Sequence, residues 1–520
     1  MSVGTIHIPL DVPDAGERND IPSHRLPLNA LAVCQNMLRS NQGRLIIRPG
    51  YKQLETSSPG GRIMGLVYYR TGAAVDKTVA VNRTQVWKYA GSVWSNITNT
   101  ALNGSTTDEP RFAIFPEGSP ITYNLLICNN QVADQVWDGS AATCSDLGGS
   151  PPVFADIKVL GNRVLGLLRP NTIRISGFNT SSVWSSIMTI ILADSGDIMV
   201  GMERLNRTTV GVYGDNSQWV LRSQQGSFPV RPEWISDFPG PISARSIVKF
   251  GDKNYWLAED GNVYSFDGVQ TLPMGYAMKR FVLDNLNYDS RAMSHGTFMS
   301  KFGCIFWWFP SPTKSAPDIG IFLNVKTSEM GRLKYGGSIT ASSQWRTVSL
   351  VTWDSLASFT WDNIAATYPT WDSFGSAANK AEILGDSNGQ VHMVGFGDGS
   401  DNGTAIEAIW EYGLIPAGGL DKNFRPLAWE TFFRKTANST TIQTFIGTTD
   451  TLMTDRSLTA ASNIDLLTAQ RNDIDLSTLE LENRFVTIRH YASVTTGGIE
   501  FEGGLLHGSD AGVPGTGPTN

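Results

Sequence analysis

One unit recurs through the middle of the chain: a short strand-like run, an aromatic residue, a small or acidic residue, then glycine. It stands at Tyr89-Ala90-Gly91, Trp137-Asp138-Gly139 and Phe266-Asp267-Gly268, with looser instances ending at Gly177 and Gly226. The glycines lie 48, 38, 49 and 42 residues apart. Asp-Gly between two strands is a hairpin signal, because the turn needs positive φ. A four-stranded propeller blade repeats every ~40–45 residues. The unit therefore predicts a mainly β chain with a β-propeller over 61–403, with room for roughly seven or eight blades. Because such hairpins mark any large β protein, an elongated set of β-sandwiches is the competing arrangement. Local patterns agree with strands. Val79 and Val81 share one face of Lys77–Asn82, and Trp87 and Tyr89 one face of Gln85–Tyr89.

Composition narrows the function classes. Hydrophobic residues make up 41% of the 520, with 15 Trp, 23 Phe and 14 Tyr, enough for large cores and against disorder. The formal charge of −7 argues against tight nucleic-acid binding, which needs clustered Lys and Arg to displace phosphate counterions. No stretch of ~18 apolar residues predicts a membrane-spanning helix. The longest apolar patches, Ile187–Ala193 and Cys304–Phe309, are strand-sized. Met1–Asp20 has no basic and then apolar leader pattern. Cys34, Cys128, Cys144 and Cys304 are too few for a disulfide scaffold and predict free buried thiols from cytoplasmic synthesis.

The flanks have a different texture. Residues 1–60 form a proline-punctuated arm with a predicted helix over Leu28–Leu38, Leu31, Cys34 and Leu38 on one face, and a strand over Arg44–Arg48. Near 345–375, Trp353-Asp354, Trp361-Asp362 and Trp371-Asp372 repeat every eight to ten residues, too closely for blade marks, and predict an insertion with packed Trp rings. Residues 404–507 predict a compact β-domain of sandwich type. Its strands are Ile406–Tyr412, Phe424–Arg434, Thr441–Ile446, Phe485–Tyr491 and Gly498–Leu506, with a polar excursion or short helices over 449–480. Residues 508–520 predict a flexible Gly/Pro tail.

No recognisable catalytic constellation stands out. The sequence lacks a Walker loop, a dinucleotide glycine fingerprint and a nucleophile elbow. His7, His24, His295, His392, His490 and His507 are scattered, without zinc spacing. Asp398-Gly-Ser400-Asp-Asn402-Gly403 matches the front of a calcium loop. Its twelfth position is Ile409, however, so a turn between domains is the preferred reading. We therefore assign no catalytic, cofactor-binding or metal residue, and expect no enzyme and no cofactor.

The two flanks together resemble the tail hub, or nozzle, proteins of short-tailed bacteriophages. The residues that carry the likeness are Asn29-Ala30-Leu31-Ala32-Val33-Cys34-Gln35-Asn36-Met37 and Gly43-Arg44-Leu45-Ile46-Ile47-Arg48-Pro49-Gly50. The Trp-Asp repeats follow, then Lys422-Asn423-Phe424-Arg425 and Arg484-Phe485-Val486-Thr487-Ile488-Arg489. The resemblance covers the chain in order, with the arm and C-terminal region forming a platform. It implies a structural virion protein of the viral tail, made in the host cytoplasm. It further implies a homo-hexameric ring below the portal and its adaptor, the head–tail connector, carrying tail fibres or tailspikes and closed by a needle or plug. Double-stranded DNA would pass at ejection without sequence-specific binding. An acidic balance suits such a conduit, since a basic wall would hold the genome. The alternative is a carbohydrate-binding or carbohydrate-active propeller with Trp platforms.

Overall fold

The computed structural model describes residues 5–512 except 41, 72–74, 91–92, 106–108, 120, 193–195, 348–378, 396–398, 417–422, 434–440, 450–457, 466–470, 480, 482–483 and 496–498. Five successive antiparallel four-stranded sheets cover 63–96, 111–146, 156–191, 199–237 and 248–273. A sixth blade runs from His295–Met299 to Met330–Lys334, after a short helix Lys279–Asn285. The seventh combines Ile339–Thr347, Asn379–Asp386 and Val391–Val394 with Tyr51–Gln53 from the arm, paired His392↔Gln53, Met393↔Lys52 and Val394↔Tyr51. The chain is therefore a seven-bladed β-propeller whose last blade takes its outer strand from the N-terminal side. The Thr340 hydroxyl donates to the Ile63 carbonyl at 2.6 Å and joins blade 7 to blade 1.

Packing explains the ring. Six apolar clusters each span two neighbouring blades. Val79, Val81, Leu125 and Trp137 join blades 1 and 2, for example, and Tyr213, Val220, Trp256 and Phe266 join blades 4 and 5. Each blade is thus apolar on both faces, and closing the circle leaves no face wet. The recurring unit has a defined place: at all five positions it sits after the third strand of blades 1 to 5. Asp138 accepts from the backbone N–H of Ser140 and Ala141 at 2.7 Å each, and Asp267 from Val269 and Gln270 at 2.9 and 3.0 Å. Gly139 and Gly268 take φ of +83° and +96°, which the turn requires.

The arm and the C-terminal region interleave in two layers. In one, Met37–Arg39, Leu45–Ile47, Glu500–Gly512, Asn423–Phe433 and Arg471–Asp475 pair in that order, and Thr5–Leu10 also pairs with Glu500–Gly512. In the other the order is Leu31–Gln35, Thr404–Tyr412, Phe485–Val494, Thr441–Thr449 and Thr459–Asp465. Trp410 and His490 from the second layer meet Trp429, Phe433 and Phe501 from the first. This core merges with blades 6 and 7 through Trp308, Phe322, Leu333 and Leu384.

Four sequence expectations are corrected. The helix over Leu28–Leu38 is two strands, Leu31–Gln35 and Met37–Arg39, broken at Asn36 with φ +59°. A register shift between Leu31 and Val33 sends both Leu31 and Cys34 inward, so a bulged strand produced the three-residue spacing of a helix. The polar excursion holds the strands Thr459–Asp465 and Arg471–Asp475. The strand Glu500–Gly512 runs into the expected tail, because its backbone is held by Thr5–Leu10 and by Asn423–Phe433. Tyr51–Gln53, read as arm, is a propeller strand. The Trp-Asp repeats lie outside the described residues. All four cysteines are buried and free.

Candidate functional site

Three places gather polar groups where the fold is otherwise apolar. The first is the seam between platform and propeller. Arg48, at the end of its arm strand, is 0% exposed and faces Asp401, 1% exposed. Arg48 Nη1 donates to Asp401 Oδ1 at 2.8 Å and Nη2 to Oδ2 at 2.5 Å; Nε donates to Asn36 Oδ1 at 3.0 Å. The guanidinium lies 3.8 Å from the centre of the Tyr335 ring and donates to the Lys334 carbonyl at 2.9 Å. Asn36 in turn donates to the Lys334 and Glu407 carbonyls and accepts from the Lys334 N–H. Left-handed backbone at Asn36 turns its side chain into this knot, which ties the arm to blade 6 and to the strand Thr404–Tyr412. A second buried anion, Glu17, receives Arg332 of blade 6 and the Cys34 N–H at 2.9 Å.

This seam also settles the calcium-like stretch. Both Asp401 oxygens are engaged by Arg48, and Asn402-Gly403, with φ of +50° and +89°, makes the tight turn between Ser400–Asp401 and Thr404–Tyr412. Asp398 lies outside the described residues. Among the described residues no three His, Cys, Asp or Glu converge as a metal-holding group.

The second place is the propeller axis, where the first strand of each blade meets its neighbours. Arg111 of blade 2 makes a two-pronged contact with Asp156 of blade 3 at 3.0 and 3.2 Å. Asp156 also accepts from the Met202 N–H of blade 4 at 2.8 Å, so one carboxylate binds three blades. Burial pushes Asp156 up, but Arg111 and Lys158 hold it below the usual carboxylate range. Lys158 pairs with Glu203 at 3.1 Å. Arg245 pairs with Glu109 and donates to the carbonyls of Met64, Thr340 and Met293. Burial pushes the Glu109 carboxyl up to about 7 against the pull of Arg245. These groups border a cavity of about 360 Å³ that also includes Arg169, Asp215 and Glu259. A second, half-open chamber of about 130 Å³ includes His295 and Ser342. Arg111 and Arg245 line both, as a charged partition.

The third is an edge. The outer strand of blade 3, Trp184–Ile191, leaves Ile187 79% and Ile191 65% exposed, with Phe178 and Val183 exposed beside it. Soluble monomers seldom leave such an apolar strand edge open.

The remaining histidines belong to no metal-holding group among the described residues. His7 and His507 face each other across paired strands with Nδ1 atoms 2.6 Å apart, and His507 reaches Glu430. His392 meets Asp386 at 3.1 Å, and His490, pushed down to about 3 by burial, stacks on Trp410. Sequence reasoning passed over Glu109, Arg111, Asp156 and Arg245. For Arg111 and Asp156 the signal was a charged residue opening a mainly apolar blade strand, Arg111-Phe-Ala-Ile-Phe and Asp156-Ile-Lys-Val-Leu; Glu109 and Arg245 lie outside the strands and carried none.

No family model and no curated protein matches the chain. Among solved structures it is similar to BamB from Moraxella catarrhalis, with 13% identity and a TM-score of 0.37 over 68% of this chain and 98% of that one.

Proposed function

We propose that this protein is a structural subunit of a short-tailed phage tail nozzle: a homo-hexameric ring through which DNA leaves below the portal and its adaptor. The observation that carries the reading is the way the two ends of the chain interleave. Residues 5–47 and 400–512 build one two-layered platform, and the propeller is inserted between them. Arm, propeller and closing strands follow the order on which the resemblance to tail hub proteins rests. In addition, Asn36 and Arg48, from the arm segments that resemble that family, fasten platform to propeller. The platform then meets the head-side adaptor, the propellers hang below it, and fibres or spikes attach around the ring. A neutral-to-acidic pore lets duplex DNA pass, since few phosphate counterions are displaced. Electron microscopy of particles carrying this protein tests the proposal. Six copies around the tail axis below the adaptor are expected; another symmetry, or a position off the axis, overturns it.

A further inference from the structure

The axial chamber carries one cation more than its carboxylates balance. Arg111 is matched by Asp156, Arg245 by Glu109 and Lys158 by Glu203. Arg62 stands beside them, close enough for its charge to act on Arg245, Glu109 and His295, and no carboxylate pairs with it among the described residues. Its Nη2 reaches only the Met293 sulfur at 3.1 Å, and its Nε is buried without a partner. Arg62 is only partly buried and does not itself line the chamber, so it adds its charge from the side, with Glu109 the carboxylate that acts on it.

A second observation points the same way. His295, on the first strand of blade 6, is 2% exposed and lines the chamber; the Met293 carbonyl lies near its ring, but neither ring nitrogen makes a well-aligned hydrogen bond. Trp308 stacks on the ring at 5.2 Å and fixes its orientation. The buried Ser342 hydroxyl of blade 7 also has no partner there. Burial, with Arg245 and Arg62 close by, holds the imidazole well below its usual value, so it is neutral and offers one N–H. Arg111 adds its guanidinium to the wall. Around one small space stand an N–H, an O–H and guanidinium groups, with a surplus positive charge.

We propose that the axial chamber is a binding site for one small inorganic monoanion of halide size, held by His295, Ser342 and Arg111 and balanced by the charge of Arg62. About 130 Å³ admits a halide together with several waters, since one water needs about 10–15 Å³ of such space. The anion would bridge blades 2, 6 and 7 and act as a pin at the axis. This inference is independent of the nozzle reading.

The test uses the full chain crystallised from bromide, with anomalous scattering recorded at the bromine edge. One peak within hydrogen-bonding distance of the His295 ring and the Ser342 hydroxyl is expected. A chamber holding only water overturns the proposal. In solution, the unfolding midpoint is compared in chloride and gluconate at equal ionic strength. It should rise saturably with chloride by a few degrees, as for a ligand of the folded state alone, and lose that response in Arg62→Gln. A midpoint that follows ionic strength whatever the anion counts against the site. Should Arg62→Gln fail to fold, Ser342→Ala takes its place with a weakened response expected.

Discussion

A guanidinium with no exposure survives in this fold because every donor it aims inward is met. Removing Asp401 would leave Arg48 charged and unpaired between platform and propeller. Breaking a buried pair from one side costs about 3–5 kcal/mol. Asp401→Ala should therefore lower stability by that order in urea unfolding, and Arg48→Ala should do likewise. The double variant should cost clearly less than the two singles combined. Asp134 is the opposite case. It is 3% exposed, its Oδ2 has no partner, and burial pushes it up to about 8. A carboxyl whose folded pKa exceeds its unfolded value penalises folding once pH rises above about 4, and the penalty grows until about pH 8. Asp134→Asn should stabilise the protein by roughly 2–4 kcal/mol near pH 7.5. The gain should vanish below pH 4, as measured by thermal unfolding across that range.

Among the elements, the closing strand Tyr51–Gln53 has an effect out of proportion to its three residues. It supplies the outer edge of blade 7, and the Leu54 N–H continues the pairing to the Val391 carbonyl at 2.8 Å. Proline at position 52 cannot donate to that ladder. Lys52→Pro should cost about 1–3 kcal/mol, the usual effect of a lost strand hydrogen bond with its partner left bare. Blade 7 should then exchange its amide protons faster than blade 3, an order that hydrogen exchange can read directly. Equal protection in the two blades would mean that the ring does not depend on this closure.

Over the whole molecule, the ends of the chain cooperate across about 350 residues of propeller. Residues 1–50 include four platform strands and Arg48. Without them Leu506, Trp410 and Phe501, all 0% exposed, lose much of their cover. A chain lacking 1–50 should bind a hydrophobic dye and, under the nozzle reading, fail to join adaptor-bearing heads. Full-length protein added to the same heads is the control. Normal docking by the truncated chain would separate the platform from the adaptor contact. The purified ring should likewise lack salt-sensitive DNA binding; a strong salt slope would replace the conduit with a gripping role.

What the sequence determined by itself was local and periodic. Aromatic-Asp-Gly units located the turn after the third strand of blades 2 and 5, because an aspartate accepting two backbone N–H groups and a glycine at positive φ suffice to specify that turn. Runs such as Lys77–Asn82 and Cys304–Phe309 declared themselves as strands by apolar alternation in the first and a short continuous apolar stretch in the second. Tertiary structure alone decided what depended on distant partners. Leu28–Leu38 has the spacing of a helix, and only the pairing of Leu31–Gln35 with Thr404–Tyr412 made it a bulged strand. Tyr51–Gln53 became a blade edge only because Val391–Val394 had an unpaired side to offer. The partnership of Arg48 with Asp401 joins residues 353 positions apart. Nothing local marks such pairs, since a buried charge is stable only beside its counter-charge, and the closed ring of blades is what brings the two together.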